Sequence, residues 1–261
     1  MREYVLITGA SSGIGLEMAR QLAQKEINLI LVARSENKLS KLQKELKNEF
    51  KIEVEYLLHD LSEPNAAQML YDEVKEQAYL VTGLINNAGF GDYGNFVEMP
   101  LKKDEEMIAV NINALMGLTK LFGADMVKIG KGRIMNVASL LSFLPFPYYS
   151  VYSATKSFVL AFTETVSAEL VGTGVVVTAL CPGIVETDFH TAAMRKTNAM
   201  GANKPMSAAV VAKAGVELFL NGKGKKIVGF MNWFLSNIPR VTPDKLMLKI
   251  KKNLASIKIE K

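Results

Sequence analysis

The chain has 261 residues, 49% of them hydrophobic and 22% charged, with a net charge of +5; that suits one soluble α/β domain with a large core. A lone cysteine, Cys181, excludes an internal disulfide, and two histidines with no second cysteine argue against a structural zinc site, so no metal is expected. No apolar run reaches the roughly 18 residues that span a bilayer, and the lysines are not interleaved with aromatics as nucleic-acid binding would require.

In chain order, seven short runs rich in Val, Ile and Leu read as strands: EYVLIT, NLILVAR, IEVEYLLHD, GLINNAG, GRIMNVAS, VVVTALCPG and KKIVGF. Their near-continuous apolar content suits strands buried on both faces. The first of them falls within the opening MREYVLITG, which leaves no room for a signal peptide, and a cytoplasmic location is expected. Longer helical stretches lie between the strands. SENKLSKLQKELKNEFK is the clearest, with Leu39, Leu42, Leu46 and Phe50 on one face. Strict alternation predicts an α/β fold of Rossmann type, a doubly wound parallel sheet of about seven strands with helices on both faces, in a single domain over 1–261. Two segments interrupt the alternation. Residues 140–150 (LLSFLPFPYYS) read as an apolar loop broken by two prolines. Residues 186–205 read as a polar substrate loop or lid, in a place where such sheets bind ligands.

The literal dinucleotide pattern G-x-G-x-x-G stands at Gly89, Gly91 and Gly94, but no helix start follows it. The better phosphate site is TGASSGIG, which joins the first strand to the first helix. There Gly9 permits the tight exit, Gly13 and Gly15 allow close backbone approach, Ser11 and Ser12 offer hydroxyls, and Ile14 lies in the first turn.

Thr8, Gly9, Gly13 and Gly15, together with Asn86-Asn87-Ala88-Gly89 after the fourth strand, resemble the classical short-chain dehydrogenases/reductases. The resemblance runs in order from Thr8 through Thr187. It implies an adenine contact from Asp60 and Leu61, packing of Asn87, Ala88 and Gly89 along the adenosine ribose, and contacts from Pro182, Gly183, Val185 and Thr187 to the nicotinamide carboxamide and phosphates. It also implies a homodimer or homotetramer, paired through helices at about 101–129 and 150–172. At the end of the second strand, Ala33 stands where an acid would signal NAD, and Arg34 follows. A guanidinium there suits a 2′-phosphate, so NADP(H) is the expected cofactor.

Two Tyr/Lys pairs occur at helical i,i+4 spacing, Tyr71–Lys75 and Tyr152–Lys156. Lowering a phenol by two to three pKa units takes roughly 3–4 kcal/mol, and an ammonium about 5 Å away supplies about 3 kcal/mol at an effective dielectric near 20. Either pair satisfies that arithmetic. The resemblance selects the second, with Ser139 at a strand exit thirteen residues earlier and Asn111 in the preceding long helix; Asn113 is a rival to Asn111. The implied roles are proton transfer by Tyr152, oxyanion stabilisation by Ser139, pKa tuning and ribose binding by Lys156, and water placement by Asn111.

The substrate expected is a small hydrophobic carbonyl or alcohol, held by Phe90, Ser139, Leu141, Phe146, Tyr149, Ile184 and Phe189, with Leu140 and Phe143 as further apolar candidates. An alternative is a non-catalytic NADP-binding sensor or scaffold on the same fold. The C-terminal extension, 231–261, ends in six lysines against two acids over 244–261, with Leu246, Ile250, Leu254 and Ile257 at helical spacing. This reads as a surface helix packing that stripe on its own domain, or as a peripheral membrane contact.

Overall fold

The structure, a computed structural model, describes residues 2–202, 204–240 and 242–257. Seven strands form one sheet: β1 (Glu3–Thr8), β2 (Leu29–Ala33), β3 (Val54–Leu58), β4 (Leu80–Asn86), β5 (Gly132–Val137), β6 (Val175–Cys181) and, last in the chain, β9 (Gly224–Ile227). Their order is β3-β2-β1-β4-β5-β6-β9 and every pairing is parallel. The order reverses between β1 and β4, which opens a crevice above their carboxyl ends. This is the Rossmann-type sheet that the alternation predicts.

Period-two alternation assigns the two faces. Val5 and Ile7 of β1, with Leu29 and Leu31 of β2, pack under α1 (Gly13–Ala23), α2 (Glu36–Glu49) and α9 (Ala208–Asn221). Tyr4 and Leu6, with Ile30 and Val32, face the other way, onto α3 (Ala66–Glu76) and α5 (Leu115–Ile129). α6 (Ser150–Glu169) adds Val159 and Leu160 to a third cluster with Cys181. Because each strand buries both sides, its polar–apolar alternation is erased and the runs look uniformly aliphatic.

α4 (Leu101–Ile108) continues into α5 through a π-helical turn at Ala109–Ala114. Among the described residues this 29-residue helix is long and apolar enough to cross a membrane. Here it buries Leu118, Phe122 and Met126 against the sheet and α3, as a core helix does.

Two expectations are corrected. Residues 186–205 are not a plain loop: β7 (Val185–Glu186) and β8 (Met206–Ser207) pair in parallel and bracket two short helices, α7 (Ala192–Arg195) and α8 (Asn198–Ala202). Thr191 caps α7 by accepting from the Met194 N–H. Asn203 lies outside the described residues. In the C-terminal extension, α10 (Phe230–Asn237) and α11 (Asp244–Ala255) are helical, while Val241 and 258–261 lie outside the described residues. α11 buries Met247 and Ala255 rather than the stripe through Leu246 and Ile250, which stays exposed. Of the stripe only Leu254 turns inward, onto the cleft, beside the buried Ala255.

Candidate active site

The first turn after β1 makes the floor of the crevice. Gly9 has φ +67, and a Cβ there would lie 2.9 Å from both the Ala88 Cα and the Asn87 amide. At Gly15 a Cβ would meet Asn87 Nδ2 and the Gly9 carbonyl at 2.4 Å, so no larger residue fits between helix and strand exit. Thr8 Oγ1 accepts from the N–H groups of Asn87 and Ala88 at 3.1 and 3.0 Å, and Asn87 Nδ2 donates to the Thr8 carbonyl at 3.0 Å. These bonds tie the exits of β1 and β4 together. Asn86 points the other way, into a buried chain with Asn136 and Thr119. α1 begins with no side-chain cap from Ser12 and no acid in its first turn, so its N–H groups and positive end face the crevice unneutralised.

A cleft of about 900 Å³ runs from Arg34 and Asp60 to Tyr152 and beyond. Of the cofactor, catalytic and substrate residues expected from the sequence, all line it except Phe143 and, behind its wall, Gly15 and Asn111. Gly13 (φ +55) closes on Thr187, whose methyl would lie 3.0 Å from a Cβ there. A cradle of this shape, with free helix N–H groups and an adjoining cation, fits a dinucleotide. At one end Arg34 Nη1 lies 3.5 Å from Asp60 Oδ2. Burial pushes the Asp60 carboxyl up, but hydrogen bonds from Ser62 and the Arg34 charge outweigh it, and its pKa stands below the ordinary value.

At the inner end, Ser139 ends β5's exit and caps the turn Leu140–Ser142. Its oxygen accepts from the Leu141 N–H at 3.1 Å, and the hydroxyl sits beside the Tyr152 oxygen, whose pKa it lowers. Lys156, 4% exposed, donates to the Val137 carbonyl at 2.8 Å, and its Nζ lies 5.9 Å from the Tyr152 ring centre. Asn111 sits on the π-helical turn and clamps Phe90 both ways, accepting from its N–H at 3.1 Å and donating to its carbonyl at 2.9 Å. The inserted residue of a π turn re-aims a side chain that a regular helix would point elsewhere. Asn113, the rival, is exposed, whereas Asn111 is fully buried behind the cleft wall.

Electrostatics differ from the sequence expectation. Burial pushes Tyr152 up to about 12, against the lowering hydrogen bond from Ser139. Burial likewise brings Lys156 down to about 8. In the protein by itself desolvation outweighs the lowering influence of Ser139, and the phenol keeps its proton at neutral pH. Tyr71, the decoy, is also raised to about 12, by burial and by a 2.8 Å hydrogen bond to Asp125, far from any strand exit. Phe143 is the other correction: it packs against the cluster of Leu115 and Val159, with Lys225 over its ring, because the turn at Leu140–Ser142 rotates it out of the cleft.

Other residues join the lining. Lys38 joins Arg34 at the outer end, and its position one helical turn later in SENKLSKLQ was a usable signal. Met194, Met200, Met231, Leu235 and Leu254 close the far end. Apart from Leu254, which stands in the apolar stripe of the C-terminal segment, nothing local marks them, since they come from α7, α8, α10 and α11. A strap holds this roof: the Asn198 N–H donates to the Ser256 carbonyl at 2.9 Å, Asn198 Nδ2 to the Asn253 carbonyl at 2.8 Å, and the Tyr93 hydroxyl to the Ala255 carbonyl at 2.7 Å.

A doubly wound sheet whose switch-point cleft joins a glycine cradle to a Ser/Tyr/Lys cluster defines a nucleotide-binding oxidoreductase of CH–OH and C=O groups. The chain belongs to the short-chain dehydrogenases: the model of that family, "short chain dehydrogenase", matches residues 3–198. It is 36% identical over 191 residues to sulfoacetaldehyde reductase 2 of Chromohalobacter salexigens, which covers 72% of this chain and 75% of that one. It is 31% identical over 259 residues to the very-long-chain 3-oxoacyl-CoA reductase of Homo sapiens, covering 96% and 80%. Among solved structures, a short-chain dehydrogenase from Sphingobium yanoikuyae in complex with NADPH is similar at a TM-score of 0.78, with 28% identity over 94% of this chain and 97% of that one.

Proposed function

We propose that this protein is an NADP(H)-dependent reductase of a hydrophobic ketone or aldehyde, with Tyr152 as its proton donor. The observation that carries this reading is the neutral Tyr152 hydroxyl, held by Ser139 and beside Lys156, at the inner end of a cleft that begins on a dinucleotide cradle. Gly9, Ser11, Ser12 and Gly13 would hold the pyrophosphate, Asp60 and Leu61 the adenine, and Lys156 the ribose next to the nicotinamide. When bound in reduced form, that ring supplies the hydride. The chain's own part is protonic: Tyr152 gives its proton to the carbonyl oxygen while Ser139 stabilises the charge that develops there. A phenol that stays protonated at neutral pH suits the reducing direction.

The cleft also bears on the substrate. Among the described lining residues the arginines and lysines are Arg34 and Lys38, at the adenosine end, and Lys156. A sulfonate like that named for the bacterial relative would meet no further guanidinium or ammonium at the far end. The apolar roof of Met194, Met200, Met231, Leu235 and Leu254 favours an acyl or other apolar carbonyl, in line with the name of the human relative. Oxidation of NADPH, followed by absorbance against a panel of apolar ketones, aldehydes and 3-oxoacyl thioesters, tests the reading. Flat traces throughout would remove it.

Arg34 and Lys38 together support NADP over NAD. Charge-assisted hydrogen bonds are worth about 1.5–3 kcal/mol, so Arg34→Ala raises KM for NADPH by roughly 10–100-fold with little change for NADH. An undiminished preference for NADPH in the variant would remove the assignment.

The same reading includes pairing of copies through α5 and α6. Met116 and Phe158 are exposed on these helices, and Phe158 stacks on Phe162 at 5.6 Å. Light scattering is expected to give a dimer or tetramer, and Phe158→Glu to shift it toward monomer. A monomer at every concentration would count against the pairing.

A further inference from the structure

α10 is inside out. Its buried positions are polar, Asn232 and Ser236, one helical turn apart, while Phe230, Met231, Trp233 and Phe234 are exposed and only Leu235 is half-buried at the cleft. Phe230 is 78% exposed, and Met231, Trp233 and Phe234 are each about half exposed (54, 52 and 51%). Phe230, Trp233 and Phe234 fall on one face at i, i+3 and i+4, and the Phe230 and Trp233 rings stack at 5.8 Å. A helix that spends its polar residues inward and its aromatics outward is built for a second, apolar contact.

α11 adds charge to the same end of the molecule. It leaves Leu246, Leu248 and Ile250 exposed, together with Lys245, Lys249 and Lys252. Both helices border the cleft, since Met231 and Leu235 of α10 and Leu254 of α11 line its far end. We infer that α10 and α11 form a docking surface for an anionic lipid bilayer, with the aromatics of α10 entering the headgroup–acyl boundary and the lysines of α11 resting on lipid phosphates.

The charge pattern selects lipid over a second copy. Between 244 and 257 the chain carries Lys245, Lys249, Lys251 and Lys252 against Asp244 as its one acid. A two-fold contact presents the same patch from both sides, so it would set these ammonium groups against one another. An anionic bilayer complements the lysines and accepts the aromatics, and tryptophan is at home in its interfacial layer. Docking opens the roofed end of the cleft to the place where apolar carbonyl compounds partition. That consequence rests on the proposed reaction; the docking does not.

Trp233 is the one tryptophan of the chain, so its fluorescence reports this face alone. Full-length protein is mixed, without cofactor or substrate, with vesicles of equal parts phosphatidylcholine and phosphatidylserine, or of phosphatidylcholine only. Co-sedimentation with the anionic vesicles, a blue shift of Trp233 emission and its quenching by bromine-labelled acyl chains are expected, all weakening with salt. Replacing Lys245, Lys249 and Lys252 together by Gln is expected to weaken binding about a hundredfold at low salt. Phe230→Ser with Phe234→Ser, at exposed positions that leave the core intact, is expected to abolish the blue shift. Unchanged emission and no pelleting with anionic vesicles would overturn the inference. So would a concentration-dependent mass that the two serine substitutions abolish, which would give this face to self-association. Because no turnover is read, failure here leaves the redox reading standing, and the reverse holds too.

Discussion

Replacing Tyr152 with phenylalanine removes one oxygen from the inner end of the cleft, and reductase turnover is expected to fall by about 10²–10⁴-fold, the range of a positioned general acid. The ring keeps its contact with Phe189 at 5.5 Å and its place on α6, so NADPH affinity and the melting temperature should change little. That split separates chemistry from binding. If wild type and variant reduce the same ketone at one rate, the proton comes from elsewhere and the proposed mechanism is wrong. The pH profile is a second readout. Tyr152 stands at about 12 and Lys156 at about 8, so the alkaline limb of the wild-type rate is expected where the ammonium is lost, near 8, and well below any loss of the phenolic proton. Tyr152→Phe should lower the rate across the whole range.

Lys156→Met is expected to abolish turnover and yet stabilise the fold. The ammonium is 4% exposed, and burial brings its pKa from 10.5 to about 8. A base whose folded pKa lies below its unfolded value binds fewer protons when folded, between about 8 and 10.5. Wild-type stability therefore rises with pH across that window, and below about 8 the folded state carries the full cost. That cost is about 3 kcal/mol. Methionine keeps the apolar stem and forfeits the hydrogen bond to the Val137 carbonyl, worth about 1 kcal/mol. A net gain of about 2 kcal/mol corresponds to roughly 4–8 °C in Tm at neutral pH. The gain should close as pH rises past 10.5, where wild type sheds the charge in both states. A variant that melts lower than wild type at neutral pH would show that the ammonium is stabilising, and that its buried setting is better solvated than its contacts indicate.

The legible parts of this protein were those with short-range causes. All seven strands of the sheet stand in the sequence as aliphatic runs, and six of the runs extend past the strand's carboxyl end. Overrun residues such as Asp60, Asn87 to Gly89, Ser139 and Gly183 look like continuing strand, yet they are where the chain leaves the sheet to line the cleft. The glycine cradle was visible because only glycine fits where Gly9 and Gly15 pass within contact of Asn87 and Ala88. Asn111 was findable by resemblance, but the π turn that aims it was not, since nothing in AVNINA departs from helical composition.

Aliphatic run length, glycine placement and the i,i+4 pair are properties of neighbours in the chain, and from them the sequence by itself determined the sheet, the cofactor cradle and the candidate Tyr152–Lys156 pair. The tertiary structure alone decided the roof over the substrate end, the outward face of α10, the exposed stripe of α11 and the dominance of burial at Tyr152. Each of these depends on which surfaces meet across the fold and on how much water they exclude, and no local pattern encodes either.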